Sequence, residues 1–274
     1  MEASVERTVF IVSDHTGLTA ESVARSLLAQ FELVSFRYVT RPFTDTEEEV
    51  RNLVHEITSI FQRDRIRPIV FSTLANQALN NQLKTAPALH FDLFSTYLGE
   101  LERELGLPAT GRVGRLHSAN NSSYFARIEA VEFVLATDDG IGERHYQMAD
   151  VILVGVSRVG KTPTCLFLGL QYGLRASNYP LAEKDFEQEN LPEPIRPYKD
   201  RAFGLTIAPA RLHQIRTQRK PNSRYASVEQ CEYEVRQAEL LFKQLRIPYF
   251  DTTSASIEEI ATNIVQSMGL QRRI

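Results

Sequence analysis

Cysteine is scarce in this chain: Cys165 and Cys231 are the two among 274 residues. Thiols so few and so far apart exclude a disulfide framework and a four-ligand zinc site, and both are expected as small core residues. No apolar run approaches the ~20 residues of a membrane-crossing helix, and residues 1–7 lack a basic stretch followed by an apolar core. No membrane association is expected, and the cytoplasm is the default location. Neither sign of charge dominates, since 31 Lys and Arg face 34 Asp and Glu for a net charge of −3. Bulk charge therefore gives no pull toward nucleic acid. Internal repeats at solenoid periods and low-complexity tracts are also absent. What is left is a globular composition and a chain long enough for two ordinary domains.

The first hundred residues alternate β-rich runs with helical patterns: 8–12 then 20–31, 34–39 then 46–61, 69–72 then 74–83. That rhythm predicts a parallel sheet with covering helices. Leu53, Val54, Ile57, Ile60 and Phe61 form an apolar stripe, while Glu47, Glu48 and Glu49 complement the positive end of the same helix. A further helix over 92–105 ends at Gly106. From 106 to 123 the composition turns to Gly, Pro, Ser, Asn and cations, which sets a domain boundary at 118/119. An N-terminal parallel-sheet α/β domain, 1–118, is thus expected before a P-loop kinase-like α/β domain, 119–274. In the second half Ile128, Val131, Val134 and Leu135 have helical spacing, followed by a turn at 137–140 and a strand at 151–154. A helix over 163–172 precedes a proline-bearing segment, 179–199, read as a loop and a candidate lid. A strand at 203–207, helices over 209–219 and 227–245, and the pair 247–251 and 257–268 complete the set; Ser227 and Gln230 have capping-box spacing.

Gly155-Val156-Ser157-Arg158-Val159-Gly160-Lys161-Thr162 satisfies G-x-x-x-x-G-K-[ST] and directly follows the apolar run 151–154. The pattern arises by accident in about one chain in a hundred of this length, and the strand before it makes accident rarer. Its glycines let main-chain amides converge on phosphate oxygens, Lys161 carries charge to the outer phosphates, and the Thr162 hydroxyl can ligate Mg²⁺. The helix that follows adds its positive end. Arg158 either folds over the phosphates or faces water. The plain alternative is a glycine turn with a solvated lysine.

Three other clusters are candidates. Ser13-Asp14-His15-Thr16-Gly17 lies between a strand and a helix, where Ser13, Asp14 and Thr16 suit a phosphate or partner contact; ordinary helix capping is the plainer reading. His15 is either a general base or an exposed loop residue. Asp138 and Asp139 can hold Mg²⁺ or take a hydroxyl proton, and such pairs are equally common in turns. Asp251, ending an apolar strand, is the rival metal-holding carboxylate. Arg211, Arg216, Arg219, Lys220 and Arg224 form a run without a carboxylate, read as a solvated helix face, with phosphate clamping or an acidic partner as the sharper alternative.

These stretches, with Ser177-Asn178-Tyr179-Pro180, Phe203-Gly204-Leu205-Thr206 and Asn222-Ser223-Arg224-Tyr225-Ala226-Ser227, together resemble the bacterial phosphoenolpyruvate synthase regulatory proteins. The likeness extends over nearly the whole chain. Related regulators of pyruvate, phosphate dikinase share the N-terminal and P-loop signatures, and Gly160 with 222–226 favours the synthase branch. The pattern departs at Thr137, where many relatives carry histidine, and at His15, where many carry a small residue. The resemblance implies an ADP-dependent kinase that inactivates the synthase by phosphorylating a threonine, and a phosphate-dependent activity that removes the group as pyrophosphate. It further implies the synthase as protein partner, a homodimer, Lys161 with Asp138 or Asp139 as catalytic residues, and Arg224 near phosphate or partner. An ATP-dependent kinase of a small metabolite and a nucleotide-sensing adaptor are the alternatives.

Overall fold

The computed structural model describes residues 6–110, 121–187 and 190–273; the expected boundary at 118/119 lies outside them. The chain divides into two compact units, 1–119 and 120–274. Both are α/β layers on an all-parallel four-stranded sheet. Among the described residues no helix is long and apolar enough to cross a membrane.

The first unit runs β1 (Glu6–Ser13), α1 (Leu18–Leu28), β2 (Ser35–Arg41), α2 (Glu47–Asp64), β3 (Ile69–Thr73), α3 (Gln77–Leu83), β4 (Leu89–Asp92) and α4 (Leu93–Leu105), with strand order β2-β1-β3-β4. Helices cover both faces of β1, which explains its uninterrupted apolar run. Phe10 and Val12 pack with Val50, Leu53 and Ile57 of α2. Val9 and Ile11 pack with Ala20, Ala24 and Leu28 of α1. The acidic first turn of α2 has a second use: Thr46 caps it, and Glu49 closes the reciprocal box. Strand β4 has no counterpart among the expected strands, because it is a four-residue edge with one buried position. Helix α3 begins at Gln77 rather than 74, because Asn76 accepts from the amides of Ala78 and Leu79 and fixes the start there.

The second unit runs α5 (Asn121–Ala136), β5 (Val151–Val156), α6 (Lys161–Tyr172), β6 (Ala176–Leu181), β7 (Ala202–Thr206), α7 (Pro209–Arg219), α8 (Val228–Leu245), β8 (Tyr249–Asp251) and α9 (Ile257–Ser267), with order β6-β5-β7-β8. All six residues of β5 are buried. The expected loop over 179–199 is corrected at its start: β6 pairs with β5 in parallel, Gly155 opposite Pro180. A proline is tolerated there because β6 is an edge and loses no second ladder. The segment beyond β6 is not a free flap either, since Leu191 and Ile195 are buried in the main core. Ser227 caps α8 by accepting from the Gln230 amide, as the spacing predicted.

In both units the first strand is flanked by the second on one side and the third on the other. Successive crossovers leave it in opposite directions, and the crevice at its carboxyl end is the place where open parallel sheets bind ligands. Residues 13–17 occupy that position in the first unit, and 155–162 in the second.

Candidate functional site

The two pattern glycines of the 155–162 loop are required for different reasons. At Gly155 a Cβ would lie 2.5 Å from the Leu205 carbonyl oxygen, so the close approach of β7 excludes any side chain. Gly160 has φ 92°, with nothing within 4 Å of a Cβ; there the left-handed backbone is what demands glycine. Arg158 adopts φ 82° as well. Gly160 is the N-cap of α6, whose first residues are Lys161 and Thr162. The loop therefore delivers the helix's unpaired amides to the end of the central strand.

Lys161 is 5% exposed. Its ammonium donates to the carbonyls of Gly155 (3.0 Å) and Val156 (2.9 Å), folding back on the loop. Burial pushes its pKa down to about 8, against the opposing pull of Asp139 and Asp138. Thr162 makes the more telling contact. Its hydroxyl donates to Asp138 Oδ1 at 2.8 Å, and the same oxygen accepts from Asn178 Nδ2 at 2.6 Å. Asn178 Oδ1 in turn accepts from the Asp139 amide at 3.2 Å, and Asp139 sits at φ 49°. Asn178, fully buried on β6, thus clips the aspartate turn to the sheet beside the helix start.

A second network holds the loop from the other side. Arg216, expected on a solvated helix face, is instead fully buried. It donates to the Ser157 carbonyl (3.1 Å), the Tyr225 carbonyl (3.0 Å) and the Glu234 carboxylate (2.6 Å), and its guanidinium lies 4.1 Å from the Tyr225 ring centroid. The Tyr225 hydroxyl shares a 3.0 Å hydrogen bond with Ser157 Oγ. Thr252 Oγ1 adds a bond to the Val159 carbonyl at 3.2 Å. Two loop residues, Ser157 and Val159, are thereby anchored from α7, the turn before α8, and the residue after β8.

The structure thus brings Asp138, Lys161 and Thr162 together and adds Asn178 and Tyr225, to which residue patterns alone gave no role, and Arg216, read beforehand only as one of a cationic run. Asp251 accepts from the amide and hydroxyl of its neighbour Thr253. Arg224 reaches Glu183 at 2.8 Å in an exposed pair. In the first unit Ser13 Oγ accepts from the His15 amide (3.1 Å) and from Thr73 Oγ1 (3.0 Å). Asp14 accepts from the Ala75 amide at 2.6 Å, and burial raises its pKa. Thr16 is exposed, and the N-cap of α1 is Gly17, with no capping side chain. The capping reading of this segment is therefore not realised; Ser13 and Asp14 tie β1 to the end of β3.

Hard oxygen donors at Thr162 and Asp138 fit Mg²⁺, which takes one or two carboxylates and fills its shell with water and phosphate. Among the described residues no group of three or more His, Cys, Asp or Glu could cage a metal without such help.

A strand, a glycine loop with Lys-Thr at the helix start, and an aspartate on that threonine form an arrangement suited to phosphoryl groups. The kinase/pyrophosphorylase family model matches residues 9–265. The chain belongs to the kinase/pyrophosphorylase family. It is 54% identical over 269 residues to a protein of Deinococcus radiodurans, covering 98% of this chain and 97% of that one. A Pseudomonas aeruginosa protein is 50% identical over 270 residues, with 98% of each covered. A Marinobacter nauticus protein is 49% identical over 269 residues, covering 98% of this chain and 99% of that one. All three are provisionally named phosphoenolpyruvate synthase regulatory proteins. The kinase/pyrophosphorylase match spans both units, so the family signature includes the 13–17 segment as well as the 155–162 loop.

Proposed function

We propose that this protein transfers the β-phosphoryl group of ADP to a threonine of phosphoenolpyruvate synthase, and removes it with inorganic phosphate, releasing pyrophosphate. The observation that carries the reading is the hydrogen-bonded chain Thr162–Asp138–Asn178 at the loop that also bears Lys161. In the forward step the bond between the β-phosphorus and the bridging oxygen of ADP breaks, a bond from the threonine Oγ forms, and AMP leaves. In the second step an oxygen of inorganic phosphate attacks the phosphothreonine phosphorus, and the threonine oxygen departs and takes up a proton. A diphosphate end is the common ligand, which is why one cradle of amides serves both directions.

The residues divide the work. Lys161 leaves its two carbonyl partners and places its charge on the transferred group. Asp138 is engaged by Thr162 and Asn178, so its part is to hold the helix start and Mg²⁺ in register. Asp139, exposed on the same turn, is free to take the proton of the incoming hydroxyl, a role typically worth roughly 10²–10⁴ in rate. Mg²⁺ held by Thr162 and Asp138 would offset charge on the phosphate oxygens.

Mass spectrometry of the synthase after incubation with this protein tests the reading. ADP should add one phosphoryl group to a threonine, ATP should not, and later addition of phosphate should remove it with release of pyrophosphate. Lys161→Ala should abolish both reactions. Full pyrophosphate release by that variant would refute the shared cradle, and an inhibited but unmodified synthase would refute the kinase.

A further inference from the structure

The phosphate cradle accounts for only one end of a nucleotide. Beside it, within the second unit, lies a cavity of about 290 Å³ that no residue discussed above explains. Val159 and Gly160 of the loop form one wall, Ile207 and Ile215 a second, and Ala255 and Ile257 a third. It thus opens at the carboxyl ends of β7 and β8, on the flank of β5 opposite β6. Aliphatic side chains share the lining with Arg158, Arg211, Thr252, Thr253 and Ser254, and the volume suits a flat bicyclic base with polar edges rather than a peptide or a lipid chain.

We infer that this cavity is the base-binding subsite, which takes the adenine ring of the nucleotide whose phosphates rest on the 155–162 loop. The inference rests on the proposed reading of that loop and adds to it the residues that choose the nucleoside. Continuity is the first argument: Arg158, Val159 and Gly160 belong to the loop and line the cavity, so the two subsites adjoin and one ligand can occupy both. The second argument concerns cations at the rim. Arg211 is exposed, and its hydrogen bond within α7 is a long one, 3.4 Å to Gln214. A planar guanidinium at the mouth of an aliphatic slot stacks on an aromatic base. The third is a buried donor without a partner, Nε of Arg158, which an oxygen of the ribose or of the inner phosphate would satisfy. Thr252 connects the two subsites mechanically, since it lines the cavity and its hydroxyl binds the Val159 carbonyl.

Calorimetry on the full chain separates this inference from the one beneath it, using ADP and pyrophosphate as probes. Pyrophosphate reports the cradle alone; ADP reports cradle and cavity together. Ala255→Trp fills the slot. Ile257→Asp places a carboxylate in it at the first position of α9, where an acidic group complements the helix end and the fold is preserved. Both variants should weaken ADP by about tenfold or more, the scale on which 1.4 kcal/mol is a factor of ten, and leave pyrophosphate unchanged. Arg211→Ala should weaken ADP by a smaller factor. Unchanged ADP affinity in both cavity variants would overturn the assignment, as would equal losses of ADP and pyrophosphate. Wild-type protein that binds neither probe would overturn the cradle, and the cavity with it.

Discussion

The two units present the same crevice with opposite chemistry. In each, an all-parallel sheet places its first strand centrally and lets a loop and a helix follow from that strand's end. In the first unit residues 14–17 join strand to helix, and the polar groups there are spent on the fold: Ser13 on His15 and Thr73, Asp14 on Ala75. In the second, residues 157–160 make a junction of the same length, anchored from outside by Arg216, Tyr225 and Thr252. The lesson is that topology supplies the location of a crevice, while the loop decides which of its polar groups the fold itself consumes.

The difference can be tested by its largest effect first. Arg216→Met should strip the Ser157 anchor and leave Glu234 without its cationic partner and with only Gln230 bonded to it, a loss of about 3–5 kcal/mol by analogy with other broken buried pairs. Chemical denaturation would measure it. The exposed pair Arg224–Glu183 is the contrast: Glu183→Ala should change stability by less than about 1 kcal/mol. If the two variants proved equally mild, external anchoring of the second loop would not be what distinguishes it.

The glycines sharpen the comparison. Gly17 and Gly160 stand at equivalent places, each the left-handed N-cap of the helix behind the central strand, whereas Gly155 lies within its strand; a Cβ at Gly17 has its nearest neighbours at 3.7 Å and meets mainly the strain of φ 79°. Gly17→Ala should cost about 1–2 kcal/mol. Gly155→Ala meets the Leu205 carbonyl at 2.5 Å and should cost about 1–3 kcal/mol of overpacking, with phosphate affinity lost as the loop moves off β7. Calorimetry with pyrophosphate should show that loss for Gly155→Ala and none for Gly17→Ala.

The smallest effect is in pH. Lys161 titrates near 10.5 when unfolded and is pushed down to about 8 in the fold. Between those values the unfolded chain holds the extra proton, so stability rises with pH through that window, and below about pH 8 the buried charge is a constant cost. A diphosphate favours the charged form, so its binding should take up a proton near pH 8. Affinity should then fall about tenfold between pH 8 and 9.5, and calorimetry in buffers of different ionisation enthalpy would show the uptake. Asp14 shifts the other way, with burial raising its pKa. Asp14→Asn keeps an acceptor for the Ala75 amide and removes a buried charge, so at neutral pH it should leave thermal stability unchanged or slightly higher.

How much was legible beforehand follows from the range of the interactions. Strand β5, the loop and the helix behind it are contiguous, and periodicity with glycine spacing suffices to read them. The capped starts of α2 and α8 are equally local, because Thr46 and Ser227 bind amides three residues away. Strand β6 was hidden because Tyr179 and Pro180 read as the start of a proline-bearing loop and 176–178 carried no strand pattern of their own; only pairing with β5 makes them a strand. Asn178 and Asp138 are 40 residues apart, and Arg216 and Ser157 are 59 apart. No local pattern reports such pairs.

By itself, then, the amino-acid order determined the α/β alternation, the glycine-lysine-threonine loop and the aspartate turn, since each depends on neighbours within a few positions. Only the tertiary structure decided that Thr162 meets Asp138, that Lys161 folds onto its own loop, and that one arginine of a cationic run is buried under it. Those outcomes depend on which distant groups share a low-dielectric interior, and that is settled by packing.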